Sequence, residues 1–380
     1  PDGVLPALDT VAAALRRALG ESARSVRARV PLPAATTASF AALAAHADGE
    51  AAFDAGRLDD AKRAWRLALA YDSAFALAHA ALGAALAWTN EPAAAAPHLA
   101  AADRLAAALP PREALLTRVR TATWRGDRRA AMQLGRAWLA EHPDDRTVLG
   151  QVGYAALRGR QYAAARVAYE RLVRLDARDA ATWVNLATVR RAEAGSPAAL
   201  AAALDAYARA FALDTALARQ LTIAHEYAGT LALAGRADSA AGVFRAMLAA
   251  GDAGARARGF RGLAFVAEHR GRYAEAARHF AEAVRVHRAI GDNVLSEVRV
   301  RVLRAEALDA IDPRAAGAPA AARAASAERD TALRLALARP VEPVMLGYLG
   351  ASLARAGRAA DAARVADVLA ARAQPGSAPD

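Results

Sequence analysis

The chain has 380 residues, 55% of them hydrophobic, a formal net charge of +11 and no cysteine. That length and apolar content suffice for two globular cores, and the missing cysteine excludes disulfides, thiolate nucleophiles and cysteine metal sites while leaving the redox compartment open. No apolar stretch reaches the roughly 18 charge-poor residues of a membrane-spanning helix; EPAAAAPHLAAADRLAAALP comes nearest and is broken by Pro97, Asp103 and Arg104.

Residues 1–41 offer one helix, LPALDTVAAALRRALGESARSVRARV, whose stripe Leu8, Val11, Leu15 and Leu19 is expected to cap the open face of the first repeat. A lead-in with Pro31, Pro33 and a Thr36-Thr37 pair suited to capping the next helix comes after it. From 42 to 292 a motif of about 34 residues recurs as helix, glycine turn and helix. With Gly56, Gly126, Gly235, Gly271 and Gly357 taken as the turn, the residue seven earlier is Gly49, Val119, Ala228, Ala264 or Gly350, small in all but Val119. Five residues after the turn stand Ala61, Ala131, Ala240, Ala276 and Ala362, where a larger side chain would hold the two helices apart. Four further on, a bulky group should fill the gap to the next repeat; Trp65, Phe244 and Phe280 do so, whereas Gly135 and Ala366 are too small.

The fifth copy is stretched by Gly195-Ser196-Pro197. Residues 293–342 read as a degenerate helical pair split between Pro313 and Pro319, 343–373 as a last repeat and 374–380 as a polar tail. Runs of β-branched and aromatic residues are missing and Ala, Leu and Arg dominate, so strands are expected to be nearly absent. Apolar residues recur at helical spacing from end to end, which predicts one continuous unit.

The small, Ala and bulky positions, completed by Gly83 and Gly153, Ala95 and Ala165, Leu99 and Tyr169, resemble the tetratricopeptide repeat (TPR) family. Repeats of that family would begin near Ala42, Ala76, Arg112, Arg146, Ala180, Leu221, Ala257 and Pro343. The resemblance implies an all-α, right-handed superhelical solenoid of helix pairs, a non-enzymatic scaffold that grips a peptide or protein in the concave groove of its first helices. ALRRALGES, then VPLPAATTASFAALAAHADGEAAFDAGRLDDA, then ALPPREALL are further similar to the helical region beyond the membrane anchor of bacterial serine/threonine kinases and related signalling proteins. That similarity implies a periplasmic or extracellular setting, with a cytoplasmic one as the alternative. No kinase signature occurs, and a chain beginning at Pro1 is expected to be a fragment or a processed product.

On the groove positions that the resemblance assigns, Phe53, Trp88, Trp124, Tyr154 and Leu157 form either an apolar strip for a partner's side chains or filler between repeats. Arg120, Arg191, Arg258 and Arg261 are the groove cations for a mixed-charge partner, with His46, Glu50, His225 and Glu268 as polar neighbours. Trp65, Trp138 and Trp183 fall on packing positions. Some members clamp a chaperone's C-terminal carboxylate with Lys and Asn; Leu116, Arg120, Gln151, Ala181 and Asn185 match that clamp only in part, which speaks against this ligand.

Lys62 is the only lysine, and the basic excess is uneven: residues 101–200 hold 17 basic against 10 acidic residues. Arg118, Arg120, Arg125, Arg128, Arg129, Arg158, Arg160, Arg190 and Arg191 make either a solvated face or a surface for acidic protein or anionic membrane; nucleic acid is disfavoured because no base-reading module accompanies them. Enzymatic signatures are missing. HEYAG at 225–229 starts like the HExxH zinc motif but has Gly229 in place of the second imidazole, and neither a phosphate-binding loop nor a serine elbow occurs. Glu275, His279 and Glu282 share a helix face that is better read as ion-paired than metal-binding. No cofactor is expected. The alternative to the scaffold is a structural subunit of a homo-oligomer or filament.

Overall fold

The computed structural model describes residues 4–18, 30–89, 91–193, 196–250, 252–291, 294–339, 341 and 343–373. They contain helices and no strand, and no helix is long and apolar enough to cross a membrane. Leu19, Gly195 and the tail 374–380 lie outside the described residues. The chain divides into two compact units, Pro1–Ala216 and Leu217–Asp380, in place of the single unit that the uninterrupted periodicity suggests. The division falls between Leu213, which ends one helix, and the 3-10 turn Leu217–Arg219.

The first unit holds α1 (Val4–Ala18), α2 (Leu32–Ala35), α3 (Phe40–Asp54), α4 (Leu58–Tyr71), α5 (Ala76–Trp88), α6 (Pro92–Leu105), α7 (Pro111–Trp124), α8 (Arg128–Glu141), α9 (Arg146–Arg158), α10 (Tyr162–Leu175), α11 (Ala180–Ala192) and α12 (Pro197–Leu213). The second holds α13 (Leu221–Leu233), α14 (Ala237–Ala249), α15 (Ala253–His269), α16 (Tyr273–Ile290), α17 (Val294–Asp309), α18 (Ala318–Ala338), α19 (Pro343–Arg355) and α20 (Ala359–Ala373). From α3 onward each unit is a run of helix pairs, and within a unit each pair packs on the next because one pair alone leaves an apolar face uncovered. The degenerate segment forms the long pair α17–α18.

The five turn glycines all adopt positive φ, from 69° to 88°, a conformation strained for a residue with a side chain. After the turn the chain folds back: Arg57 N donates to Ala52 O and Arg272 N to Ala267 O, closing the last turn of α3 and α15. The fourth repeat makes the same turn with Arg160 in the left-handed region, at φ 58°. The spacing rule for small and bulky residues has a direct cause. A Cβ on Gly49 would overlap the Trp65 ring, and one on Gly83 would meet Leu99 Cδ2 at 2.8 Å. Ala61, Ala95, Ala131, Ala165, Ala240 and Ala276 are all buried, whereas Ala362 on α20 is only partly so. Val119 and Gly135, the two departures from the pattern, fall in one repeat, and Val152 of α9 fills the space beside Gly135.

Two expectations for the N-terminal segment are not met. Leu8, Val11 and Leu15 are 46%, 64% and 60% exposed, so the stripe does not cap the first repeat; α1 is instead tied down by buried Leu5 and by Asp9, whose carboxylate accepts from Leu32 N at 2.9 Å. The Thr pair does not cap α3. Ser39 does, accepting from Ala42 N at 3.2 Å, while Thr37 donates to Asp72, which caps the C-terminus of α4.

Ion pairs also tie the first residue of a repeat to its closing loop. Arg112 Nε and Nη2 donate to Asp145 at 2.8 and 2.9 Å, and Arg146 Nη2 donates to Asp176 at 2.7 Å. Asp145 also caps α9 through Val148 N and accepts from Trp138 Nε1 at 3.0 Å. Trp138 is therefore half-buried against this latch and the His142 ring, not a core residue as its position suggests.

Candidate functional site

Five first helices of the first unit present residues at the same level, and together they enclose a cavity of about 320 Å³. Its floor is small. Ala81, Ala84 and Ala85 on α5 leave room where larger side chains would fill it, and Trp65 closes it from below. The wall is aromatic: Trp88, Trp124 and Tyr154 form a trio with ring centroids 5.8 to 6.4 Å apart, and Phe53 sits 6.0 Å from Trp65. Trp88, 43% exposed, stands on the rim. Arg158 places its guanidinium 5.0 Å over the Trp124 ring, which fixes that ring's edge of the wall by a cation–π contact.

The polar members of the lining are Glu50, Arg120, Gln151 and Asn185. Among the described residues, Arg120, Gln151 and Asn185 make no side-chain hydrogen bond or ion pair. The Tyr154 hydroxyl is buried without a hydrogen-bond partner, and burial pushes its pKa up. Buried or half-buried polar groups normally find partners, so this set is poised to receive them from outside.

Beside Arg120, His46 Nε2 lies 3.8 Å from Glu50 Oε1. The distance suggests an ion pair, yet burial and then the Arg120 charge push His46 down to about 4, and burial raises Glu50. The imidazole is therefore neutral at pH 7, and the contact is a polar one without a cation.

Five of the nine residues singled out from the sequence, Phe53, Trp88, Arg120, Trp124 and Tyr154, thus converge on one cavity. Leu157 and Arg191 do not line it; both are half-buried on the last turns of α9 and α11. Arg258 and Arg261 lie on α15 in the second unit, where Arg258 donates to Thr222 Oγ1 at 3.3 Å and Arg261 lies 3.4 Å from His225 Nε2. Burial, with Arg299 and Arg258 adding repulsion, pushes Arg261 down to about 10. Part of the expected central basic surface is engaged within the fold: Arg125 pairs with Asp103 at 2.7 Å, Arg190 approaches Glu170 at 3.7 Å and Arg158 covers Trp124. No group of three or more metal-ligating side chains exists among the described residues.

Further along α15, Glu268 is raised to about 7 by burial and then by Glu306, which itself pairs with Arg355 and accepts from Tyr348 Oη at 3.4 Å. A carboxyl whose folded pKa lies above its unfolded value contributes stability below the unfolded pKa and loses it as pH rises through the folded one. His46 acts in the opposite sense: its folded pKa is depressed, so its contribution is present above pH 6.5 and lost as pH falls toward 4. Thermal denaturation of Glu268→Gln against wild type should therefore show little difference at pH 5 and a relative gain for the variant of about 1–2 kcal/mol at pH 8, after allowance for partial solvation. A difference independent of pH would contradict the assignment.

No protein-family model matches the chain, and no curated protein matches it. Among solved structures, a thermophilic TPR protein from Thermus thermophilus matches with 23% identity and a TM-score of 0.40, over 51% of this chain and 97% of its own. A TPR protein from Parabacteroides merdae matches with 15% identity and a TM-score of 0.39, over 64% of this chain and 93% of its own. MamA matches with 19% identity and a TM-score of 0.38, over 46% and 96%. Solved TPR proteins are thus what this all-α chain is similar to.

Proposed function

We propose that the chain is a non-enzymatic protein-interaction scaffold whose first unit seats an apolar side chain of a peptide or partner loop in the Trp88–Trp124–Tyr154 cavity. The observation that carries this reading is the pairing of a rim tryptophan with the unpartnered donors Arg120, Gln151 and Asn185 around an alanine-floored space. The aromatic wall desolvates the apolar anchor, and the donors take the carbonyl or carboxylate groups beside it. Because helix packing fixes these groups in advance, little conformational entropy is lost on association.

Peptide display on wild-type protein with counter-selection on Trp88→Ala and Arg120→Ala tests it. Enriched sequences should pair an aromatic or branched aliphatic residue with a nearby acidic group, and each substitution should weaken binding about 10- to 30-fold. Equal enrichment on wild type and both variants would refute the site.

The setting proposed is the extracytoplasmic part of a bacterial signalling or envelope protein; the similarity of residues 4–115 to such regions supports it. A homo-oligomer is the second reading, favoured by the exposed stripe Leu8, Val11 and Leu15 on α1. A solution mass that rises with concentration and reverts on Val11→Glu supports that reading; a concentration-independent monomer excludes it.

A further inference from the structure

In the second repeat pair, outside the aromatic cavity, His79 on α5 and His98 on α6 bring their Nδ1 atoms within 3.0 Å. The other nitrogen of His79, Nε2, lies 3.1 Å from the Ser73 carbonyl oxygen. A carbonyl only accepts, so Nε2 carries the proton and Nδ1 of His79 presents a bare lone pair toward His98. A ring nitrogen oriented by a backbone carbonyl on its far side is the arrangement that prepares a histidine to bind a metal.

We infer that His79 and His98 form a two-nitrogen chelate for a divalent transition ion, with copper(II) held most tightly. With metal–nitrogen bonds of about 2.0–2.1 Å, a nitrogen separation near 3.0 Å corresponds to an angle of roughly 95° at the ion, which suits two adjacent positions of a tetragonal set. A small rotation of each ring turns both lone pairs onto that point. Without metal, His98 donates its Nδ1 proton to His79; on metal binding that proton moves to Nε2 of His98 through solvent, both rings stay neutral and no proton is released. Water completes the coordination. A closed four-ligand zinc site is excluded among the described residues, because no third ligating side chain joins the pair. The Arg66 charge acts on His98 and opposes the ion, which keeps the affinity moderate. The consequence is mechanical: the ion ties α5 to α6, and α5 is the helix that carries Ala81, Ala84, Ala85 and Trp88 to the cavity.

The test is copper(II) titration of protein carrying no affinity tag, in a buffer containing glycine as a weak competitor. One equivalent should bind with an electron paramagnetic resonance spectrum of equatorial nitrogen ligation, and saturation should raise the thermal midpoint by about 3–8 °C. His79→Asn and His98→Asn should each weaken binding at least tenfold, whereas His142→Asn should leave it intact. Equal affinity in the His79→Asn/His98→Asn double variant, or no nitrogen-ligated copper in wild type, overturns the site. Should either variant misfold, substoichiometric copper added to wild type decides: the imidazole resonances of His79 and His98 must broaden before those of the other six histidines, and earlier broadening elsewhere overturns it.

Discussion

Glu328→Ala is expected to destabilise the second unit by about 2–3 kcal/mol, because it removes the carboxylate that Arg301 and Arg304 share and leaves the buried Arg301 with Glu297 alone. Arg301 Nη1 donates to Glu328 at 2.6 Å while its Nε and Nη2 hold Glu297 at 2.9 and 2.7 Å, and Arg304 pairs with the other Glu328 oxygen. Arg301, Glu328 and Arg329 are each 7% exposed or less. Beside this cluster, Arg329 pairs with Asp309 and donates at 3.2 Å to Ser352 Oγ on α19. Together these contacts bridge three helices around the pair whose repeat pattern is weakest. Hydrogen exchange over residues 294–338 should report the loss directly. Replacing both partners, Arg301→Met with Glu328→Leu, should recover most of the stability, since a matched apolar pair leaves no orphaned charge. If the single substitution costs under about 1 kcal/mol, the group is solvated and the network is not a buried one.

Gly49→Val is expected to cost about 3 kcal/mol or more, and Gly49→Ala about 1–2 kcal/mol net of the helix propensity gained. A Cβ at this position meets Trp65 Cδ1 at 2.6 Å and Cε2 at 2.8 Å. Either the ring leaves its rotamer or α3 and α4 separate. All five tryptophans lie in the first unit, so fluorescence follows this unit's unfolding. Because Trp65 also closes the aromatic cavity, the variant should lose partner binding by more than its stability loss explains. Unchanged fluorescence and stability would show that the hairpin has slack at this crossing.

The packing was legible in the sequence because it depends on residue size at fixed spacing. Gly49 faces Trp65, Gly83 faces Leu99 and Gly153 faces Tyr169, whose Cζ a Cβ on Gly153 would meet at 3.1 Å, each pair within one repeat. The aromatic wall was legible for the same reason: Trp88 and Trp124 occupy equivalent positions of successive first helices. Gln151 and Asn185 were visible only as part of an incomplete clamp, since nothing in one sequence says that they reach the same cavity as Arg120. The Arg301–Glu328 network was not legible, because alternating Arg and Glu on a helix read as a solvated face until the neighbouring helices are placed. Leu8, Val11 and Leu15 misled in the other direction, as an amphipathic stripe shows that a face seeks a partner and not which partner covers it.

The Asp145 latch bears on how such a chain can change length. Arg112 reaches Asp145 and Arg146 reaches Asp176, so each donor opens a block and its acceptor lies at or near that block's end. The 34 residues from Arg112 to the residue before Arg146 carry both members of their own latch, so cutting out or duplicating that stretch removes or adds the pair together. Growth and shrinkage by whole blocks therefore keep each of these latches whole, whereas an insertion of a few residues inside a block parts the Gly49–Trp65 kind of contact.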